Sequence, residues 1–263
     1  MEQLSSKENS IIKSCKALAE SASERRKQGL IFLEGMRLCG EAARAGVRIE
    51  TLLCTEEALG KWQTQLLPLR EQAAYSAVIT PQLGKHISQT QTAQGVYCIC
   101  AMPESTPPDM RVGGSFLLLD RLQDPGNMGS IIRTAEAFGT HCIILSQDCA
   151  DIWSPKVLRS TMGSCFRQQI WITDNLPQTA KELAENGVTV YGAALDSQAV
   201  TPAELSKGSS GIAVVIGNEG NGISPQVLEC CSHRLYIPMT AEIESLNAAT
   251  AAAVLLWELS KLP

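Results

Sequence analysis

With 263 residues, of which 44% are hydrophobic and 19% charged, the chain has the composition of a globular protein and is long for one core, since single cores stop growing beyond about 250 residues. Two domains are therefore expected. The net charge of −5, from 22 Lys and Arg against 27 Asp and Glu, excludes a general affinity for nucleic acid, so any such role requires a local basic surface. No run approaches the roughly 18 apolar residues of a membrane span, and MEQLSSKENS lacks the basic-then-apolar pattern of a secretory leader, so a cytoplasmic protein with no membrane partner is expected.

In chain order, SIIKSCKALAE reads as a helix, inside a stretch from Lys7 to Lys27 that carries Lys7, Lys13, Lys16, Arg25, Arg26 and Lys27 against Glu8, Glu20 and Glu24. This is either a basic surface or a solvated helix face. Strand-like GLIFLEG, helical MRLCGEAARAG, strand-like IETLLCT, helical EEALGKWQTQLLPL and two further strands, YSAVIT and GVYCICA, follow. A small layered α/β domain accounts for this alternation. AMPESTPPDMRVGG then concentrates Pro, Gly and small polar residues, the composition of a linker. The division is an amino-terminal domain over 1–104, a linker over 105–114 and a second domain over 115–263.

In the second domain the alternation becomes regular. SFLLLD, HCIILS, QQIWIT, TVYGAAL, GIAVVIG and RLYIPM read as buried strands. Between most of them lie helical GSIIRTAEAFG, SPKVLRSTMGS, LPQTAKELAENG and SPQVLECC, and LNAATAAAVLLWELSK closes the chain. The fold class is α/β, a mostly parallel sheet flanked by helices, and such sheets bind ligands at the carboxyl ends of their strands. The ten cysteines and three histidines contain no CxxC pair. Cys98 and Cys100 sit in VYCIC, Cys142 in HCIIL, and Cys230 adjoins Cys231, so reduced core thiols and no metal site are expected.

Three loops after strands carry unusual residues. In RLQDPGNMGSIIRT, Asp124 to Asn127 is turn chemistry, and Arg133 lies six residues beyond Asn127 in the helix that follows. A plain turn with a surface arginine is the alternative. GIAVVIG runs into NEGNGIS, placing Gly217, Gly220 and Gly222 before a helix at Ser224-Pro225, with Glu219 in mid-loop. This is neither a Walker loop nor a dinucleotide fingerprint, and alone it is a weak signal for backbone N–H groups cradling a ligand. After RLYIPM, Ser245 is placed at the N-cap of the last helix, with Leu246 and Asn247 beginning it.

Together and in this order, NMGSIIRTAEAFG, VVIGNEGNGIS and LYIPMTAEIESLNAATAAAVLLWE resemble the three motifs of the SpoU/TrmH branch of SPOUT methyltransferases, over about Ser115 to Leu262. The amino-terminal part resembles that branch's small substrate-binding domain more loosely. The resemblance implies a carboxyl-terminal trefoil knot, S-adenosylmethionine as methyl donor, an RNA ribose 2′-hydroxyl as acceptor, and a homodimer with sites at the subunit interface. By the same resemblance the catalytic positions are Asn127, Arg133, Glu219, Ser245 and Asn247. The donor is held by Gly217, Ile237 and Leu246, with Leu195, Asn218 and Met239 as walls. The family's usual proposal makes the arginine a general base. A guanidinium has a pKa above about 12, and bringing it to neutrality costs roughly 7 kcal/mol, so a role for Arg133 in clamping the phosphate beside the target ribose and supporting the developing alkoxide is preferred.

The amino-terminal domain resembles those of relatives that act on ribosomal RNA more than the compact helical extensions of tRNA-acting ones, and this resemblance implies ribosomal rather than transfer RNA. A tRNA ribose 2′-O-methyltransferase, a base-nitrogen methyltransferase and an inactive RNA-binding relative are the alternatives. A nicotinamide oxidoreductase is disfavoured, because no GxGxxG follows a strand in the required context.

Overall fold

The computed structural model describes residues 2–111, 113–194, 199–240 and 245–262. Contacts divide the chain into two compact units: 1–104 with 151–166, and 105–150 with 167–263.

Among the described residues the first unit holds a five-stranded sheet of β1 (Glu2–Leu4), β2 (Leu30–Glu34), β3 (Ile49–Thr55), β4 (Tyr75–Ile79) and β5 (Val96–Ala101) in the order β1-β4-β3-β5-β2. β1, β4 and β3 run parallel, whereas β5 is antiparallel to both β3 and β2. Alternate residues of each strand face opposite sides. Phe32, Leu53, Tyr97 and Ile99 meet Ile12, Cys15 and Leu18 of α1 (Ser10–Glu20) and Leu83 and Ile87 of α6 (Pro81–Ile87). The other side is covered by α3 (Met36–Arg44) and α5 (Gln63–Gln72). EEALGKWQTQLLPL forms two helices, α4 (Glu56–Lys61) and α5, which meet at Trp62.

Half of the basic residues in the stretch near the amino terminus, Lys13, Arg25 and Lys27, form ion pairs among the described residues. Arg25, in α2 (Ala22–Gln28), is 4% exposed. It donates to Asp151 from Nε at 3.0 Å and Nη2 at 2.5 Å, and to the carbonyls of Leu18 and Ala19. Lys13 pairs with Glu8 and Lys27 with Glu24. Asp151 precedes α8 (Pro155–Thr161), so the helix read from SPKVLRSTMGS forms but packs within the first unit.

Among the described residues the second unit holds a parallel six-stranded sheet, β6 (Ser115–Leu119), β7 (Cys142–Ser146), β8 (Ile170–Thr173), β9 (Val188–Ala193), β10 (Gly211–Ile216) and β11 (His233–Leu235), in the order β11-β9-β10-β6-β7-β8. α9 (Leu176–Glu185) and α10 (Pro225–Glu229) cover one face through Leu176, Leu183 and Val227, against Phe116, Leu118, Val190 and Val215. α7 (Pro125–Ala137) and α11 (Ala248–Ser260) pack against each other, and α11 also packs on β10. The chain leaves β6 towards β7 on one side and enters β10 on the other. The strand order thus reverses between β6 and β10, which opens a crevice at their carboxyl ends.

Two local readings change. α7 begins at Pro125 with Asp124 as its N-cap, whose Oδ1 accepts from Asn127 N at 2.7 Å, so Asn127 is in the helix's first turn rather than in a loop. The cap of α11 is Asn247 and not Ser245: its Oδ1 accepts from Ala249 N at 2.9 Å and Thr250 N at 3.3 Å. The helix therefore starts at Ala248, and its orphan amides at Ala249 and Thr250 lie within reach of an Asn247 side chain rather than of Ser245.

Candidate active site

The crevice is spanned by side chains of the loops after β6 and β10. Asp120, which ends the apolar run SFLLL and is 3% exposed, accepts Ser224 N at 2.6 Å through Oδ2. Arg121 lies in the left-handed region, φ 55°, and its carbonyl accepts Asn218 Nδ2 at 2.8 Å. Such a conformation is disfavoured for a side chain with a Cβ, and the bonds around it hold it there. Residues 218–222 form a tight turn: Asn218 and Gly222 exchange backbone hydrogen bonds at 3.0 and 2.9 Å, and Asn218 Oδ1 accepts from the N–H groups of Gly220 and Asn221, both at 3.0 Å. A Cβ on Gly217 would lie 2.1 Å from the carbonyl carbon of Gly222. Only glycine lets the strand end and the turn approach so closely.

Glu219 reaches from this turn to the start of α7. Its Oε1 accepts from Asp124 N at 3.0 Å and Asn127 Nδ2 at 3.1 Å, and its Oε2 from Gln123 N at 3.2 Å. Asn127 Oδ1 in turn accepts Asn247 Nδ2 at 2.9 Å. Glu219, Asn127 and Asn247, which are 120 residues apart at the extremes, thus form one chain of hydrogen bonds. Desolvation pushes the Glu219 carboxyl upward, but the Asn127 amide and the N–H groups of Glu219 itself, Asp124 and Gln123 outweigh it and hold the pKa below the ordinary 4.5. The carboxylate is therefore a strut that draws three donors to one point, rather than a proton carrier near neutrality.

Beside this chain is a cavity of about 590 Å³ whose walls include Ala193, Ala194, Gly217, Asn218, Leu246 and Asn247. It adjoins a smaller one of about 120 Å³ bounded by Ile237, Met239 and Leu246, and Ser245 lines both. The larger volume lies within the roughly 300–1,000 Å³ of cofactor sites, and the mixture of small apolar walls with a few amides is the usual lining. Of the residues expected at the donor site, Gly217, Asn218, Ile237, Met239 and Leu246 are gathered here. Leu195 lies outside the described residues.

Arg133 is not brought to this network. Six residues past Asn127 on one helix, at about 100° per residue, it faces roughly 120° away. It is exposed and makes no ion pair among the described residues. Sequence reasoning missed Asp120, Arg121 and the alanine walls Ala193 and Ala194. An acid ending an otherwise apolar strand was the available signal for the first. The others carried none.

The SpoU rRNA methylase family model matches residues 114–257, and the MRM3-like substrate-binding domain model matches residues 9–98. The chain is 34% identical, over 98% of its length and 99% of the relative's, to the 23S rRNA (guanosine(2553)-2′-O)-methyltransferase RlmP of Bacillus subtilis. It is similar to the AdoMet-bound rRNA methyltransferase structure from Sinorhizobium meliloti, at 26% identity and TM-score 0.86, covering 98% of this chain and 97% of that one. It is also similar to the SpoU methyltransferase AviRb from Streptomyces viridochromogenes in complex with AdoMet, at 27% identity and TM-score 0.83, covering 96% and 97%. With three motif loops closed on one crevice and more than half its length matched, the chain belongs to the SpoU rRNA methylase family.

Proposed function

We propose that this chain methylates a ribose 2′-hydroxyl of large-subunit ribosomal RNA, with residues 1–104 as its RNA-binding domain, 105–114 as a linker and 115–263 as the catalytic domain. It is an RNA 2′-O-methyltransferase that uses S-adenosylmethionine. The observation that carries this reading is the Glu219–Asn127–Asn247 chain beside a cofactor-sized cavity.

Gly217, Asn218, Ile237, Met239 and Leu246 fit the donor as walls and backbone partners, and Leu195 belongs to the same proposal. When bound, S-adenosylmethionine supplies an electrophilic methyl group on a sulfonium. The chain's own tasks are to place a ribose hydroxyl beside that group and to remove its proton. Asn127 and Asn247 fix the floor of the acceptor site, Glu219 holds Asn127, and Ser245, exposed at the cavity rim, orients the hydroxyl. Arg133 clamps the adjoining phosphate and supports the developing alkoxide.

The active molecule is a homodimer. Trp257 of α11 is 51% exposed, with its ring 5.6 Å from Phe138 just beyond α7 and Lys261 Nζ 5.0 Å above it. A large exposed aromatic beside the outward-facing Arg133 helix suits a self-complementary contact that brings Arg133 to the partner's site. The trefoil knot is part of this proposal. Residues 195–198 and 241–244, in the loops that would form it, lie outside the described residues.

Mapping ribose methylation across total RNA from cells with and without the gene tests the substrate. Loss of one mark in large-subunit rRNA is expected, and loss of a transfer RNA mark instead would overturn that assignment. For Arg133→Ala the rate should fall about 10²–10³-fold with the shape of the pH–rate profile unchanged. Disappearance of an inflection near neutrality would make the arginine a base.

A further inference from the structure

In the first unit, the loop from Ser88 to Gln94 is anchored at both ends. The carboxylate of Glu34, 6% exposed, accepts from Ser88 Oγ at 2.5 Å, Thr90 Oγ1 at 2.6 Å and Gln89 N at 2.8 Å. Gln94 Oε1 accepts Met36 N at 2.9 Å. Gln91, Thr92 and Ala93 are left exposed at the tip. On the α3 side of this loop is a cavity of about 260 Å³, lined by Arg37, Leu38, Thr92, Gln94, Arg159 and Met162.

Among the described residues, neither cation of this cavity forms an ion pair. Arg159 is partly buried, and its Nη1 is buried with no hydrogen-bond partner. Arg37 is exposed and has no ion pair among the described residues. Glu34 is the acid lining the cavity, and three donors already engage its oxygens. The start of α3 adds its partial positive charge, although Gln94 Oε1 already takes the N–H of Met36. Met162, at the cavity wall, is held in the left-handed region with φ 55°. A desolvated guanidinium nitrogen without an acceptor is costly, and a planar fork of N–H groups matches the oxygens of a phosphate. The volume suits one tetrahedral anion rather than a nucleoside. Across the loop, a second cavity of about 590 Å³ is lined by Lys61, Lys85, Gln91 and Gln94.

We propose that Arg37 and Arg159 seat a backbone phosphate of the RNA substrate, with the neighbouring nucleotide laid over the loop tip towards Lys61 and Lys85. The site supplies the local basic surface that a chain of net charge −5 needs to hold RNA. It rests on the reading of the chain as an RNA methyltransferase.

The test measures binding of the full chain to protein-free large-subunit rRNA across a potassium chloride series, for wild type, Arg37→Gln, Arg159→Gln and the control Arg48→Gln. Arg48 is a surface arginine paired with Glu50. Each cavity variant should bind about tenfold more weakly, with the salt slope reduced by about one, while the control follows wild type. Arg37 is exposed on a helix, so its variant keeps the test open should Arg159→Gln fail to fold. If wild type binds RNA and both cavity variants keep its slope, the proposal fails and the methyltransferase reading stands. If wild type binds S-adenosylhomocysteine but no RNA, both fail. If inorganic phosphate raises the melting temperature of wild type but not of Arg159→Gln, and the RNA slopes coincide, the cavity takes a free anion and the RNA assignment is overturned.

Discussion

The two polar regions of this molecule are built on opposite principles. In the second unit, Glu219, Asn127 and Asn247 partner one another, and Glu219 also engages the backbone at the start of α7. In the first unit, Arg37 and Arg159 line a cavity, Nη1 of Arg159 is buried with no hydrogen-bond partner, and Arg37 makes no ion pair among the described residues, although the loop beside them is tightly bonded to Glu34. A saturated network costs little to keep and fixes geometry, which suits the positioning of a reacting hydroxyl. A buried guanidinium nitrogen without a partner is expensive alone and gains its free energy when an anion arrives.

This contrast can be broken by mutation. The largest effect is expected for Gly217→Ala, because the new Cβ would meet backbone rather than a movable side chain. S-adenosylhomocysteine affinity should fall more than about 100-fold by calorimetry, and retention of wild-type affinity would show that the turn can move.

Next comes Glu219→Ala, which releases Asn127 and the amides of Gln123 and Asp124 and should lower the methylation rate about 10²-fold. The sign of its pH dependence sharpens the same point. Because the folded-state pKa is depressed, the network's contribution is fully present above the ordinary glutamate value of 4.5 and is lost as pH falls through the lower folded value. Donor affinity should therefore persist at pH 4.5. An early loss in wild type at higher pH would contradict the strut role. Asn247→Ala, the mildest, removes the cap of α11 and the link to Asn127, and should destabilise the fold by about 1 kcal/mol in urea titrations. A change within error would mean that water replaces the cap.

Much of the second unit was legible because its strands are continuous apolar runs bounded by turn residues: SFLLL, CIIL and GIAVVI each became a strand. The first unit was less so. ASERRKQ formed a helix whose Arg25 points inward to Asp151, more than a hundred residues on, which no local pattern signals. PQLGKHI likewise formed a short helix, with Thr80 Oγ1 accepting Leu83 N. In the site, turn residues and glycines in the loops after strands drew attention to those loops and the resemblance supplied the roles, but Asn127 and Asn247 were misplaced by a few residues relative to their helix starts. Several Ser, Asp and Asn side chains near a helix start are able to cap it, and spacing in the sequence does not rank them.

What the residues alone determined is the alternation of apolar strands and amphipathic helices, and hence a parallel sheet with its chemistry in the loops after the strands. That follows from periodicity and turn propensity, which are local. Only the tertiary structure decided that Asn127 would join Glu219 to Asn247, that α8 would pack within the first unit, and that Nη1 of Arg159 would be buried without a hydrogen-bond partner. Those outcomes depend on which distant groups arrive within about 3 Å of each other, and chain order carries no measure of that distance.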